Sequence, residues 1–507
     1  MDSKSNILTL FDEQSTPEPN STIKQSEQDD EPRLSSAVVL FSLCHDLGVT
    51  AFLSEDFDGV FVRYLCSGHY TIGTIKSLRF AAWLTDKFYI ATQNAPNKTD
   101  IEKVISLLAS EAYKQPKYRI FTRLGHNDGK IYLDLADEDC HVVEIDGGGW
   151  RVIGGESAPW FMRSSGMRAL PIPERDGSLD ELRNFCNVSD DDFVMMVSWL
   201  VAACNPRGAY SLLVLSSEHG SGKSTMTTLL QRLVDANTTE RLSPPKNADD
   251  LFAAGAGRWI IPFDNFGRID ETLSNHLCRL STGGGYSKRA LYTDNDSFSV
   301  SMKRPLILNG IALTLSRLDL LDRAYPIHLE SIATDERRTE RELYSAFERI
   351  HAKLLGALLT AVAAALRERD YEPNNLSRMA DAETFILQAE KGGGLPWQVG
   401  KFKAVLTRRE AAKIDEALAD DGVAAKILEL MENLETWSGT LKELLQFITE
   451  GTDEERKYLP QTGKALGRKM EELRPMLRYV GIEFEKRKGT GGVYYVSFTK
   501  CEVAIPF

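Results

Sequence analysis

No uninterrupted apolar run of the ~18 residues that a membrane-spanning helix needs occurs in this 507-residue chain, so an integral membrane protein is not expected. The opening residues, MDSKSNILTLFDEQSTPEPN, lack the basic and apolar regions of a secretory signal. Seven cysteines are scattered without a CxxC pair or a close Cys/His cluster. That pattern argues against a disulfide framework or a zinc site and fits reduced thiols in a cytoplasmic protein. Residues 37–153 hold no paired acids at metal-site spacing, so no primase or nuclease centre is expected there. What remains is an ordinary globular composition, 42% hydrophobic and 26% charged, long enough for about three domains.

The net charge of −13 speaks against a nucleic-acid partner until its distribution is considered. Residues 1–35 carry eight acids against three bases, whereas residues 457–500 carry ten bases against four acids. A local basic surface in an acidic chain points to a localised binding role. Residues 1–36 are rich in Ser, Gln, Asp, Glu and Pro and are expected to form a disordered acidic tail. Within that tail, Ile7-Leu8-Thr9-Leu10-Phe11 resembles the Gln-Leu-x-Leu-Phe peptide that docks on bacterial sliding clamps, with the Gln missing. The alternative is a chance apolar cluster.

Periodicity divides the rest. Residues 37–153 read as a small N-terminal α/β domain, with helical spacing in AVVLFSLCHDL, SLRFAAWLTDKF and IEKVISLLASEAY and strands in GVFVRYL, KIYLDLAD and HVVEIDGGGWRVI. The Gly147-Gly148-Gly149 run reads as a hairpin turn. Residues 154–187 read as a Gly/Pro/Ser-rich linker, and Ser189 then reads as an N-cap before three aspartates. Residues 188–334 are expected to be an ATPase core, 335–422 a helical lid and connector, and 423–507 a winged-helix domain.

The core carries the chemistry. SLLVLSSEHGSGKSTMTTLLQRLV is a strand, a loop and a helix, and Gly220, Ser221, Gly222, Lys223, Ser224 and Thr225 match the end of the phosphate loop GxxxxGK[ST]. Glycines let backbone N–H groups approach phosphates at a helix N-terminus. Lys223 would reach the β- and γ-phosphates, and the Ser224 hydroxyl would ligate Mg²⁺. Ser217 replaces the usual first glycine. RWIIPFDN is an apolar run ending in Asp264, the acid expected to hold Mg²⁺ of bound ATP, followed by Asn265. RPLILNG ends in Asn309, readable as a γ-phosphate sensor or as a strand-end turn residue, and Arg323 precedes a further apolar strand.

This order over residues 211–332 resembles AAA+ ATPases, in particular the helicase-like ATP-binding proteins of prophages and mobile elements, related to superfamily 3 and minichromosome-maintenance helicases. The resemblance covers roughly residues 120–385, including STGGGYSKRALYTD and RRTERELYSAFERIHAKLLGALL. It implies an α/β P-loop AAA+ core, a homo-oligomer working as a hexameric ring on DNA, and a primase as a separate partner. It also implies an arginine finger at Arg323, with Arg317 the alternative; Arg337, Arg338 and Arg341 read either as a second sensor or as an exposed helix-start charge cluster. Relatives carry Glu where this chain has Asn265, which slows hydrolysis or moves the base elsewhere, for instance to Glu218.

DNA contacts are expected at two places. Residues 285–304 read as a hairpin that corresponds, by the resemblance, to the one helicase rings project into their pore. Lys288 and Arg289 are its candidate DNA contacts; a purely structural hairpin is the alternative. At the C-terminus, three helical patterns and a hairpin read as a winged helix, with Lys464, Arg468 and Lys469 on the recognition helix and Lys486, Arg487 and Lys488 on the wing. Protein contacts are the alternative use. The sequence thus reads as an ATP-dependent DNA motor of mobile-element replication. Its rivals are a DNA-bound ATPase switch that never unwinds and a degenerate NTPase serving as an assembly module.

Overall fold

The computed structural model describes residues 35–217, 221–267, 269–289, 297–310, 322–333, 337–449, 459–489 and 492–501, with the single positions 320 and 335. The tail peptide around Leu10 and Phe11 lies outside these, as do Glu218, Gly220, Arg317 and the hairpin tip at 294–296.

The N-terminal unit is a three-stranded antiparallel sheet, β1 (Thr50–Leu53), β2 (Val60–Cys66) and β3 (His69–Thr74), packed with helices α1 (Ser36–Asp46), α2 (Leu78–Thr92) and α3 (Lys98–Ala112). Helix α2 shows how sequence makes this unit. The Ser77 hydroxyl accepts from Phe80 N at 3.3 Å, capping the first turn. Phe80, Trp83, Leu84 and Phe88 then form one buried stripe, and Gln93 ends the helix in the left-handed conformation.

A second antiparallel sheet follows, β4 (Leu124–Asn127), β5 (Lys130–Asp134), β6 (His141–Asp146) and β7 (Gly149–Gly154). The glycine run is the turn between β6 and β7, with Asp146 paired to Gly149. The packing break falls before this sheet and not at residue 153. Leu124, Ile131, Val143, Ile145 and Trp150 share one apolar core with the segments that follow, while α1–α3 and most of the first sheet form a core of their own. A buried ion pair fixes the join: Arg123 and Asp235, both 0% exposed, meet at 3.1 Å. Arg123 also donates to the carbonyls of Asp134, Arg168 and Ala236, and Asp235 accepts from the N–H groups of Trp259 and Ile260. Removing either partner of such a pair leaves an uncompensated buried charge, costing about 3–5 kcal/mol.

The expected linker at 154–187 is packed along its length. Leu170, Leu179 and Leu182 are buried, and Gly356 approaches Glu174 so closely that a Cβ would fall 1.7 Å from the Glu174 carbonyl oxygen. The glycine there is a packing requirement. Helix α4 (Asp190–Ala203), capped by Ser189 with three aspartates in its first turn, is buried over nearly its whole circumference.

The central layer is a parallel sheet of β8 (Leu212–Ser216), β9 (Ile261–Phe263), β12 (Leu306–Gly310) and β13 (Ala324–His328), in the spatial order β13-β8-β12-β9. Leu242 adds a parallel bridge beside Phe263 on the far edge. Continuous apolar runs such as LLVL and LIL suit strands covered on both faces. Between β9 and β12 lies helix α7 (Glu271–Thr282), then the hairpin strands β10 (Gly284–Arg289) and β11 (Ser297–Met302), paired antiparallel. The 340–367 helix starts at a capping box of Thr339 and Glu342 and buries Phe347, Leu354, Leu358 and Val362 against the core. It is long and apolar enough to cross a membrane, yet two thirds of its most apolar window is buried within the protein, the pattern of a core helix.

The C-terminal unit runs helix 422–431, β14 (Thr436–Thr440), helices 441–448 and 463–479, then β15 (Ile482–Lys488) and β16 (Tyr494–Lys500). Its sheet has the order β14-β16-β15, so a strand between the first two helices joins the hairpin expected at the end. Pro475 lies within the 463–479 helix without ending it.

Candidate nucleotide site

Ligands of open parallel sheets bind beyond the carboxyl ends of the strands. Residues singled out in the sequence, Lys223, Ser224, Asp264 and Asn309 among them, meet at that edge. The loop after β8 leads into α5 (Lys223–Asp235), and Gly222 adopts φ 80° at its N-cap, a conformation that only glycine takes at no cost. Lys223 Nζ folds back to donate to the Ser217 hydroxyl at 2.6 Å and the Ser217 carbonyl at 3.1 Å. Ser217 is buried, and its hydroxyl also contacts that of Ser221. The serine in place of the first glycine therefore supplies a cradle for the lysine. Burial lowers the Lys223 pKa from its ordinary value, and Asp264 partly opposes this. A phosphate there would restore the charge balance of a partly desolvated cation.

Ser224 Oγ donates to Asp264 Oδ1 at 3.3 Å, joining the helix start to the end of β9. A hydroxyl and a carboxylate at this junction suit a hard divalent cation that keeps several of its waters. The other Asp264 oxygen faces Arg241 Nε at 3.3 Å. Arg241, beside the Leu242 edge bridge, is a residue the sequence reading missed, because a lone arginine in TTERLSPP gives no pattern to find.

Asn309, 1% exposed at the end of β12, sits behind this junction. Its Oδ1 accepts from Asn265 N at 3.1 Å, its Nδ2 donates to Thr227 Oγ1 at 2.8 Å, and its carbonyl accepts from Phe266 N at 2.8 Å. Thr227 in turn donates to the Lys223 carbonyl at 3.0 Å. Asn309 thus braces the Asp264 turn against α5, and Thr227 is a second residue the sequence reading missed. Asn265 has φ 60°, the left-handed region that Asn tolerates better than most residues.

Arg323 lies at the other end of the sheet. It immediately precedes β13, where Ala324 pairs with Leu212 and His328 with Ser216, so about five residue rises, roughly 17 Å, separate it from its own phosphate loop. Its Nη1 lies 3.4 Å from Cys278 Sγ on α7. Arg337 donates to the Ile332 carbonyl at 3.4 Å, and the Ile332 side chain lies beside Gly222. Arg338 donates to the Asn184 carbonyl. Of the hairpin candidates, Lys288 pairs in register with Phe298 and Arg289 with Ser297.

The C-terminal cations divide into two groups. Lys464, Arg468, Arg487 and Lys488 are exposed. Lys469 is held by Asp421 at 2.5 Å, and Lys486 is half-buried with Nζ 5.2 Å from the Tyr494 ring centre. Arg487 also pairs with Glu485 at 2.7 Å. Elsewhere, Asp137, Asp139 and His141 bring ligand atoms within 4.8 Å of one another, a grouping that sequence spacing did not suggest; Asp137 and His141 are hydrogen-bonded at 2.6 Å.

Residues 178–408 match the family described as the actinomycete integrative conjugative element replication protein. Residues 423–503 match the C-terminal domain of the RepA protein of the same elements. These two matches mark a mobile-element replication protein. The boundary between them, at 408–423, falls just before the helix that opens the C-terminal unit. No curated protein matches the chain. Solved structures similar to it include two described as the A form apo structure of the NrS-1 C-terminal region. One has 13% identity and a TM-score of 0.41, covering 90% of this chain and 98% of that one. The other has 13% identity and a TM-score of 0.39, covering 91% and 98%.

Proposed function

We propose that this mobile-element replication protein is an ATP- and Mg²⁺-dependent motor on DNA, an AAA+ ring ATPase with a C-terminal winged helix. The observation that carries the reading is the convergence of Lys223, Ser224 and Asp264 at the carboxyl edge of a parallel sheet, braced by Asn309. In this reading, the N–H groups around Gly222 and the Lys223 ammonium bind the phosphates, and Lys223 exchanges its Ser217 contacts for phosphate oxygens. Ser224 and Asp264 would hold Mg²⁺, which would neutralise charge on the transferred phosphoryl group. Asn309 keeps the Asp264 turn fixed, so that little reorganisation accompanies phosphoryl transfer. Arg323, on the edge opposite its own loop, suits a finger directed at a neighbouring subunit's site.

One observation favours a second reading. The amide of Asn265 cannot act as a general base, so the acid that relatives place there is replaced by a group that can only orient water. A chain that binds ATP and changes shape on DNA without rapid turnover fits that feature. The two readings separate in one preparation. A motor shows ATP turnover stimulated by single-stranded DNA together with strand displacement. A switch shows ATP binding without displacement.

A further inference from the structure

At the root of the β10–β11 hairpin lies a cleft of about 470 Å³, remote from the phosphate loop. Its lining draws on widely separated segments of the chain, among them Asp56 and Phe57, Arg119 and Phe121, Arg207, and Lys303. Four cations, Arg119, Arg207, Lys303 and Arg304, face one carboxylate, Asp56, in a chain whose net charge is −13. Such a local excess of positive charge attracts anionic groups.

The partners of these groups sharpen the point. Arg119 is balanced by Glu55 at 2.8 Å and Asp56 at 3.3 Å. Arg304 is spent on the carbonyls of Gly255, Arg258 and Lys303. Lys303 lies across Gly283, whose φ of 93° and close approach to the lysine methylenes exclude a side chain, and donates to the Arg207 carbonyl at 3.2 Å. The exposed Arg207 guanidinium has no hydrogen-bond or ion-pair partner among the described residues. Two uncharged polar atoms are also unsatisfied. Thr122 is 2% exposed and its Oγ1 has no partner, and His126 Nδ1 is buried and unpartnered as well. Buried polar atoms without partners are rare, and one of the explanations is a missing ligand. Phe57 and Phe121 add aromatic faces, Phe121 lying 5.5 Å from the His126 ring.

We infer that this cleft grips the backbone of single-stranded DNA, with a phosphate between Arg207 and Lys303 and a base against Phe57 or Phe121. Cations drawn from separate segments and aromatic faces without a base-reading set are the parts of sequence-independent strand binding. The lining has no phosphate loop and a single acid, which sets it apart from a second nucleotide site. A strand here would pass the root of the hairpin, so its occupancy would be felt where β10 and β11 leave the core. The inference holds whether or not the phosphate loop hydrolyses ATP.

The test uses the full chain without nucleotide and a fluorescent oligo(dT), followed by anisotropy across a salt series. Arg207→Ala/Lys303→Ala should weaken binding about tenfold and make the log–log salt slope shallower by about 1.4, since each lost single-strand phosphate contact removes about 0.7. Arg207→Lys/Lys303→Arg should keep the wild-type slope, and thermal melting of both variants should match the wild type. Photo-cross-linking of oligo(dT) to the wild type should map to peptides containing Phe57 or Phe121. Unchanged affinity and slope in the alanine variant, or cross-links confined to residues 463–500, would overturn the proposal. Inorganic phosphate distinguishes the other source of the same chemistry. If it binds the wild type and not the alanine variant while oligo(dT) binds both equally, the cleft is a free-phosphate site and the strand assignment is wrong.

Discussion

The phosphate-loop edge and the C-terminal unit use charge in opposite ways. At the edge, Lys223, Asp264 and Asn309 are each tied to named partners, and Lys223 is partly desolvated, so each has a definite orientation. In the C-terminal unit, Lys464, Arg468, Arg487 and Lys488 stand exposed, and the nearest ion pair, Arg487 with Glu485, is of the exposed kind worth about 0–1 kcal/mol. The first arrangement suits chemistry, where an ångström matters. The second suits attraction to a polyanion, where only the sum of charges matters. Losing one residue should therefore be severe at the edge and slight at the C-terminus.

The largest expected effect is at Arg323, which in the proposed ring completes a neighbour's phosphate-loop edge. Arg323→Ala should bind ATP normally and lose about 10³–10⁵ in turnover, the scale of an arginine finger. Rings co-assembled from Arg323→Ala and Lys223→Ala chains should recover part of the activity, because an intact site can then face an intact finger. Rings shown to contain both chains, yet no more active than either parent, would remove Arg323 from the site.

An intermediate effect tests the C-terminal side. Neutralising Lys464, Arg468, Arg487 and Lys488 together should make the salt slope of DNA binding shallower by up to about 0.7 per lost single-strand contact and leave basal ATP turnover unchanged. Lys469→Ala should leave that slope alone, because Lys469 is already occupied by Asp421. An equal change from Lys469 would mean that the exposed–tethered distinction fails.

The smallest effect lies at the hairpin root, where the two styles meet. Burial, helped by Arg207 and Arg119, lowers the His126 pKa to about 4 from 6.5. The unfolded chain therefore takes up a proton between about pH 6.5 and 4 that the folded chain refuses, so this residue's contribution is present above pH 6.5 and lost as the pH falls. His126→Asn should flatten the decline of Tm between pH 7 and 5. An identical decline in both proteins would show that His126 is not held neutral.

Much of this was legible in the sequence, and the failures share a cause. Strand, Gly-Lys-Ser and helix lie within one short stretch, and Asp264 and Asn309 each end an apolar run, so local pattern placed them at one edge of a sheet. Arg241 and Thr227 became visible only through contacts across the fold. Their partners are Asp264, 23 residues on, and Asn309, 82 residues on. The end of the N-terminal unit was not legible because β4–β7 form a complete antiparallel sheet in the chain, while their shared core with the 340–367 helix shows only in the fold, as in the 3.1 Å bond from Trp150 to Thr360. Lys469 and Lys486 were grouped with their exposed neighbours because a charge count cannot see Asp421 or Tyr494. β14 was missed because TWSGT is short and has only weak alternation.

Calorimetric titration with ATP tests the phosphate loop most directly. The wild type should bind one ATP per chain, more tightly with Mg²⁺ than without. Lys223→Ala should bind much more weakly, and Asp264→Ala should lose the Mg²⁺ dependence while still folding. Equal, Mg²⁺-independent binding by all three proteins would contradict a nucleotide site at this edge.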